Sequence, residues 1–190
     1  MSDGVIVEFS DSPMWDRNIA IHEAGHAMAA WFTGARQIEI SIADEFRIAR
    51  LANGKEVDDC RAVCSHLPVR KDELAQMVVS FSGVMAQHLY SGETPEKLLE
   101  NGGKGDASDI RKLLEQHRNH GATEEDCDKL YNRASSLSLK LVKHYWWEII
   151  ALAKMVEHYN YVAPNKVSSM LSHFVSTQHI RYSLEDLEGK

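Results

Sequence analysis

The sequence feature that most constrains the fold is a run of small and apolar residues around the motif His-Glu-Ala-Gly-His at residues 22–26. In an α-helix, residues four apart lie on the same face, so His22 and His26 would point in the same direction. A helix with small and apolar neighbours on every side is expected to be buried. These neighbours are Ile19, Ala20, Ala24, Ala27, Ala29 and Ala30. The chain is therefore expected to fold around a buried helix that carries two adjacent imidazoles.

Two buried imidazoles need a partner, because a buried polar group without one is costly. A zinc ion is such a partner, since zinc prefers nitrogen ligands of this kind. Glu23 would project beside the metal, where it can take a proton from a water molecule and pass it to a leaving amine. Together these residues match the H-E-x-x-H pattern of zinc metalloproteases. The alternative, a helix that carries His22, Glu23 and His26 by chance, does not explain their apolar setting.

Gly25 is a further unusual residue of this helix. Glycine inside a helix is less favourable than alanine by about 1 kcal/mol. We therefore expect another segment of the chain to approach the helix closely at Gly25.

A catalytic zinc ion usually takes three ligands from the protein, so a third ligand must come from elsewhere in the chain. The spacing of residues along the chain does not determine which side chain is the third ligand. These candidates are His66, His88, Asp106, Asp109, His117 and His120.

The pattern of apolar residues along the rest of the chain predicts a mainly α protein with a small β-sheet, organised as a single domain over residues 1–190. Helices are expected at about 13–33, 56–66, 70–91, 106–117 and 164–176, with one long helix or two stacked helices at 123–159. Strands are expected at 37–42, less clearly at 46–51, and around 5–9. The strand at 37–42 is interpreted either as an edge strand that pairs with an extended substrate or as an ordinary core-facing strand. The polar tail at 185–190 is expected to fray.

Composition narrows the classes of partner and compartment. The formal net charge of −7 argues against a nucleic-acid partner, because an acidic chain repels phosphate. No apolar run is long enough to span a bilayer, and the first residues do not resemble a signal peptide, so a cytoplasmic location is expected. Three cysteines do not suggest a disulfide framework. Cys60 and Cys64 lie near His66, but a second zinc site is a weaker interpretation than reduced cysteines.

Three stretches resemble the peptidase domain of FtsH-type AAA proteases, the M41 zinc metallopeptidases. The first is I-A-I-H-E-A-G-H-A at residues 19–27. The second, S-G-V-M-A-Q-H-L-Y-S-G at 82–92, is similar to the family's G-G-R-x-A-E-E-L-x-x-G. The third, G-D-A-S-D-I at 105–110, is similar to its G-A-S-N-D-[IFL]. With weaker similarity towards the C-terminus, the resemblance covers roughly residues 14–175.

The resemblance implies a zincin-like helical bundle, with the metal site in residues 13–118 and a C-terminal helical part in residues 123–176. It implies a zinc metalloendopeptidase in which His22, His26 and Asp109 hold Zn²⁺ and Glu23 is the catalytic base. The choice of Asp109 comes from the last position of the third motif.

The sequence also departs from this family. Val84, Gln87 and His88 replace the arginine and the paired glutamates of the second motif, and Asp106 stands where the family has a small residue. No G-x-x-x-x-G-K-[ST] phosphate loop is present, so the expected substrates are flexible or unfolded protein segments. Two further partners are compatible with the sequence: a separate ATPase and other copies of the same chain in a homo-oligomer. The alternative function is a catalytically silent zinc-binding relative that acts as a protein-interaction or regulatory module.

Overall fold

The computed structural model describes residues 17–67, 72–101, 103–176 and 183–189. Its helices are α1 Arg17–Phe32, α2 Glu73–Ser91, α3 Pro95–Asn101, α4 Lys104–Asn119, α5 Glu124–His144, α6 Trp146–Tyr159, α7 Pro164–Ser176 and α8 Leu184–Glu188. Its strands are β1 Arg36–Ile42, β2 Ala49–Arg50, β3 Glu56–Val57, β4 Ala62–Leu67 and β5 Tyr161–Val162. The prediction of a mainly α protein with a small sheet is confirmed. The strand expected at 5–9 and the helix start expected at Pro13 lie outside the described residues.

Helix α1 is the centre of the fold. Every residue from 20 to 30 except His22 is buried, and the helix packs against α2, α6, β1 and β4. This confirms the buried helix that the apolar neighbours of the motif predict. Gly34, with a φ of 87°, ends the segment in the left-handed conformation that glycine adopts at low cost.

Gly25 lies at the crossing of α1 and α2. A β-carbon at this position would lie 2.5 Å from the carbonyl oxygen of Ser82 and 2.7 Å from the β-carbon of Ala86. Both distances are shorter than van der Waals contact, so only glycine lets the two helices approach this closely. The expectation of a close approach at Gly25 is confirmed.

The main sheet is antiparallel and has the order β4-β1-β5. In it, Ile40 of β1 pairs with Cys64 of β4 on one side and with Val162 of β5 on the other. Strand β1 is therefore central, and the prediction that it is an edge strand is wrong. Its core-facing interpretation is confirmed, because Ile38 and Ile40 are buried in the core. In the part of the chain that the structure describes, β4 and β5 are the terminal strands of this sheet.

The predicted helix at 56–66 is also wrong. This segment instead forms β3, a turn and β4, and β4 pairs with β1 from Ala62 to Ser65 and again at Leu67, with a shift of register in β1 between Arg36 and Glu39. Asp59 has a φ of 51°, which turns the chain between the two strands. The ladder with β1 is a contact distant in sequence, and it outweighs the weak local helical pattern.

The C-terminal half consists of stacked helices rather than one long helix. Tyr145 separates α5 from α6 and is itself buried. The predicted helix at 164–176 is confirmed as α7. The prediction of a frayed tail is wrong, because Leu187 of α8 is buried against the core. Among the described helices, none has the length and apolar character needed to cross a membrane.

Candidate metal centre

Three side chains from α1 and α4 converge in a half-buried cluster. The Nε2 atoms of His22 and His26 lie 3.0 Å apart. The carboxylate of Asp106, in the first turn of α4, places Oδ2 3.0 Å from Nε2 of His22 and Oδ1 3.1 Å from Nε2 of His26. Among the described residues, this is the one group of three or more metal-ligating side chains whose ligand atoms lie close enough together to share an ion.

Helix α2 orients both imidazoles of this cluster. Nδ1 of His22 lies 3.1 Å from the side-chain oxygen of Gln87, and Nδ1 of His26 lies 2.8 Å from the carbonyl oxygen of Val79. Because both partners are acceptors, each Nδ1 donates its hydrogen to α2. In the neutral rings, each Nε2 then keeps a free lone pair that points into the cluster.

The cluster fits a divalent metal ion. Two lone pairs and a carboxylate at about 3 Å repel one another unless a proton or a cation lies between them. Ligand atoms around a four-coordinate zinc ion are about 3.3 Å apart, as Zn–N bonds of about 2.0–2.1 Å require. The observed spacings of 3.0–3.1 Å are close to this value. His22, His26 and Asp106 could therefore hold such an ion with little movement.

Asp109, which the resemblance puts in the third position, does not lie in the cluster. Its side chain is 61% exposed and forms an ion pair of 2.8 Å with Lys112. The packing of α4 explains the difference. Asp106, in the first turn of α4, reaches the histidines of α1, whereas Asp109, one turn later, points to solvent and pairs with Lys112. The third candidate ligand in the structure is therefore Asp106 rather than Asp109.

The histidines that were candidates for the third ligand do not lie in the cluster. Nδ1 of His88 contacts the carbonyl oxygen of Glu93 at 2.6 Å. His117 and His120, at the end of α4, bind the two oxygens of Glu73 at 2.6 and 3.0 Å. These two contacts tie the end of α4 to the start of α2. His66 lies on β4 outside the cluster.

The cysteines show no second site in the described residues. Cys60, Cys64 and Cys127 are all free thiols. Sγ of Cys60 donates to the carbonyl oxygen of Val57 at 3.2 Å. Cys64 is in the strand β4, where burial raises the pKa of its thiol well above the usual value. This burial favours the neutral thiol over the thiolate that binds metals.

Glu23 is buried next to the cluster, on the helix that supplies both histidines. Burial raises the pKa of its carboxyl group, and the nearby Asp106 carboxylate raises it further. His22, His26 and the approaching backbone N–H of Cys64 lower the pKa in part. A carboxylate with a raised pKa is a better base than an exposed glutamate, which suits it to accept a proton.

The charges of His26 and Asp106 are coupled in the metal-free protein. Burial lowers the pKa of His26, but the carboxylates of Asp106 and Glu23 and the carbonyl of Val79 raise it to a net value of about 9. Burial raises the pKa of Asp106, but the two histidines hold it well below its usual range. A proton shared by these groups thus supplies the positive charge that an ion would supply.

Two residues of the site were not recognised from the sequence. Gln87 departs from the family pattern, yet it accepts the hydrogen bond that orients His22. Gly83 lies directly against the ring of His26. Gly83 and Gln87 are four residues apart and so share a face of α2. That spacing is the signal that could have identified them.

No protein-family model matches this chain, and a search of curated proteins finds no match either. The geometry of the cluster and the sequence resemblance are therefore the two supports for a function.

Proposed function

We propose that this chain is a zinc-dependent metalloendopeptidase of the M41 type that hydrolyses flexible or unfolded protein segments. The observation that carries the proposal is the convergence of His22, His26 and Asp106 beside the buried Glu23. A metal with a purely structural role has no need of a buried base next to it. The M41 fold is part of the same proposal, supported by the three similar stretches of sequence.

Each residue has a defined role in this proposal. His22, His26 and Asp106 would hold Zn²⁺, which supplies a Lewis acid that acidifies water and polarises a peptide carbonyl. Glu23 accepts the proton of the attacking water and delivers it to the nitrogen of the leaving amine. Gln87 and the carbonyl of Val79 keep both imidazoles in the tautomer that leaves Nε2 free.

The position of β4 supports a peptide as the substrate. This strand is terminal in the sheet that the described residues form, and Cys64 in its middle lies against Glu23. A terminal strand can pair with an extended peptide through backbone hydrogen bonds. A peptide held in this way would place its backbone next to the base, and only an extended segment could bind so.

Cleavage of unfolded casein tests the proposal. The wild type with zinc is expected to cleave it, and chelator is expected to abolish cleavage. Glu23→Gln should retain zinc but lose activity by about 100- to 10,000-fold, the usual contribution of a proton-transfer group. Glu115→Gln, an exposed glutamate on α4, is the matched control and should remain active.

Three outcomes would contradict the proposal. Activity that survives chelation, or survives Glu23→Gln, would exclude the mechanism. A zinc-bound wild type without any cleavage would favour the catalytically silent zinc-binding module instead.

A further inference from the structure

His66 carries a ring nitrogen that has no partner. Its Nδ1 atom is buried and has no hydrogen bond in the described part of the chain. A buried nitrogen without a partner is uncommon in proteins and destabilises the fold by about 1–3 kcal/mol. The ring as a whole is only half-buried, so part of it remains accessible.

The register of β4 places His66 on the face that points to α1. Cys64 pairs with the buried Ile40, while Ser65 pairs with Glu39, so Cys64 and Ser65 face opposite ways. Side chains alternate along a strand, so His66 shares the face of Cys64, about 7 Å further along. The backbone N–H of Cys64 adjoins Glu23. His66 is the next side chain on this face of the strand, and it lies close enough to His26 for the charge of that ring to lower its pKa.

The protonation of His66 follows from its surroundings. Burial lowers the pKa of this histidine, and the nearby His26 lowers it further, so the ring is neutral near pH 7. A neutral imidazole carries one hydrogen. A buried N–H without an acceptor is rarer in proteins than an unsatisfied acceptor. The hydrogen therefore belongs on Nε2, which leaves a donor on the accessible part of the ring.

We propose that His66 is a substrate-contacting residue, whose Nε2–H donates a hydrogen bond to the oxygen of the scissile carbonyl as negative charge develops on it. This inference rests on the proposed peptidase function. No strand within the described residues pairs with the other side of β4. A peptide paired there would present one of its faces to α1, the side on which both Glu23 and His66 lie, so both polar groups would be near the reacting bond. A fixed donor of this kind acts mainly in the transition state.

The first test is independent of metal and of activity. In metal-free protein labelled with ¹⁵N in its histidines, the ring of His66 should show a hydrogen on Nε2 and none on Nδ1 at pH 7. His66→Gln provides the assignment of the signals. A hydrogen on Nδ1 would overturn the proposed donor.

The second test compares zinc-loaded variants on one fluorogenic peptide. His66→Leu should lower kcat by about 100-fold with little change in KM, as expected for the loss of one oxyanion donor. His66→Gln, which keeps a donor, should recover at least part of the loss. Ser65→Ala is the matched control, because Ser65 lies on the opposite face of β4 and should leave kcat unchanged.

Metal content and binding separate the possible failures. All variants should retain zinc, and His66→Leu should be at least as stable to denaturant as the wild type, because it removes the buried nitrogen that has no partner. Wild-type activity in His66→Leu would overturn this inference and leave the proposed function intact. A zinc-loaded wild type that neither binds nor cleaves the peptide would overturn both.

Discussion

Gly83 of α2 lies so close to the imidazole of His26 that a β-carbon at this position would overlap three atoms of the ring. The same ring is fixed on its other side by the carbonyl of Val79, 2.8 Å from Nδ1. Gly83→Ala is therefore expected to displace His26 from the cluster. We expect zinc affinity to fall by at least about 10-fold, as when the support of a ligand is removed.

Equilibrium dialysis against zinc measures this effect. Gly105→Ala is the matched control, because a β-carbon on Gly105 would meet no atom within 4 Å. Gly105 lies in α4, so the control should bind zinc normally and gain up to about 1 kcal/mol of stability. Equal zinc affinity in both variants would show that the contact between Gly83 and His26 does not position the ligand.

The helix that carries the motif could be predicted from the sequence because its signals are local. The small and apolar neighbours of His22 and His26 indicate burial, and Gly25 indicates a close approach of another segment. The structure contains both features. Each of them depends on a few adjacent residues, so the sequence around the motif is sufficient.

The third position of the cluster could not be predicted in the same way. Asp106 and Asp109 are three residues apart on α4, and both are carboxylates in a suitable stretch. Which one meets the histidines depends on the angle at which α4 packs against α2. That angle is set partly by distant contacts, such as those from His117 and His120 to Glu73. The strand β4 was missed for a similar reason, since its partner β1 is distant in sequence.

Replacement of the two aspartates provides a direct comparison. Asp106→Asn should lower zinc affinity by more than about 100-fold, which exceeds the usual cost of losing a supporting hydrogen bond. Asp109→Asn should bind zinc like the wild type and change stability by less than about 0.5 kcal/mol, because it breaks only an exposed ion pair. Metal analysis of both purified proteins measures the difference. If Asp109→Asn lost zinc and Asp106→Asn did not, the third ligand would be Asp109, as the resemblance implies.

Gln87 is expected to support zinc binding without contacting the metal. Its side-chain oxygen accepts the hydrogen of His22 Nδ1, which fixes both the tautomer and the orientation of this ring. Gln87→Leu should therefore weaken zinc binding by about 10–100-fold. The neighbouring His88→Gln is the control, since His88 contacts the carbonyl of Glu93 instead. A zinc titration in which both variants match the wild type would exclude this role of Gln87.

The stability of the metal-free protein should fall as the pH rises from about 6.5 to 9. The folded-state pKa of His26 is about 9, and that of an unfolded histidine is about 6.5. The stabilisation is therefore complete below about pH 6.5 and is lost as the pH rises through 9. Asp106 does not contribute in this window, because its lowered pKa affects stability only at acidic pH. The expected loss is at most about 3 kcal/mol.

Urea unfolding in the presence of chelator, at pH 6.5 and pH 9.5, measures this loss. His26→Gln removes the titrating ring and should reduce the difference between the two pH values. Zinc should reduce it as well, because an ion in the cluster replaces the proton on His26 and binds more tightly as that proton is released. Zinc affinity is thus expected to rise over the same pH range in which the metal-free protein loses stability. An equal pH dependence in wild type and His26→Gln would mean that the proton stabilising the metal-free cluster is not on His26.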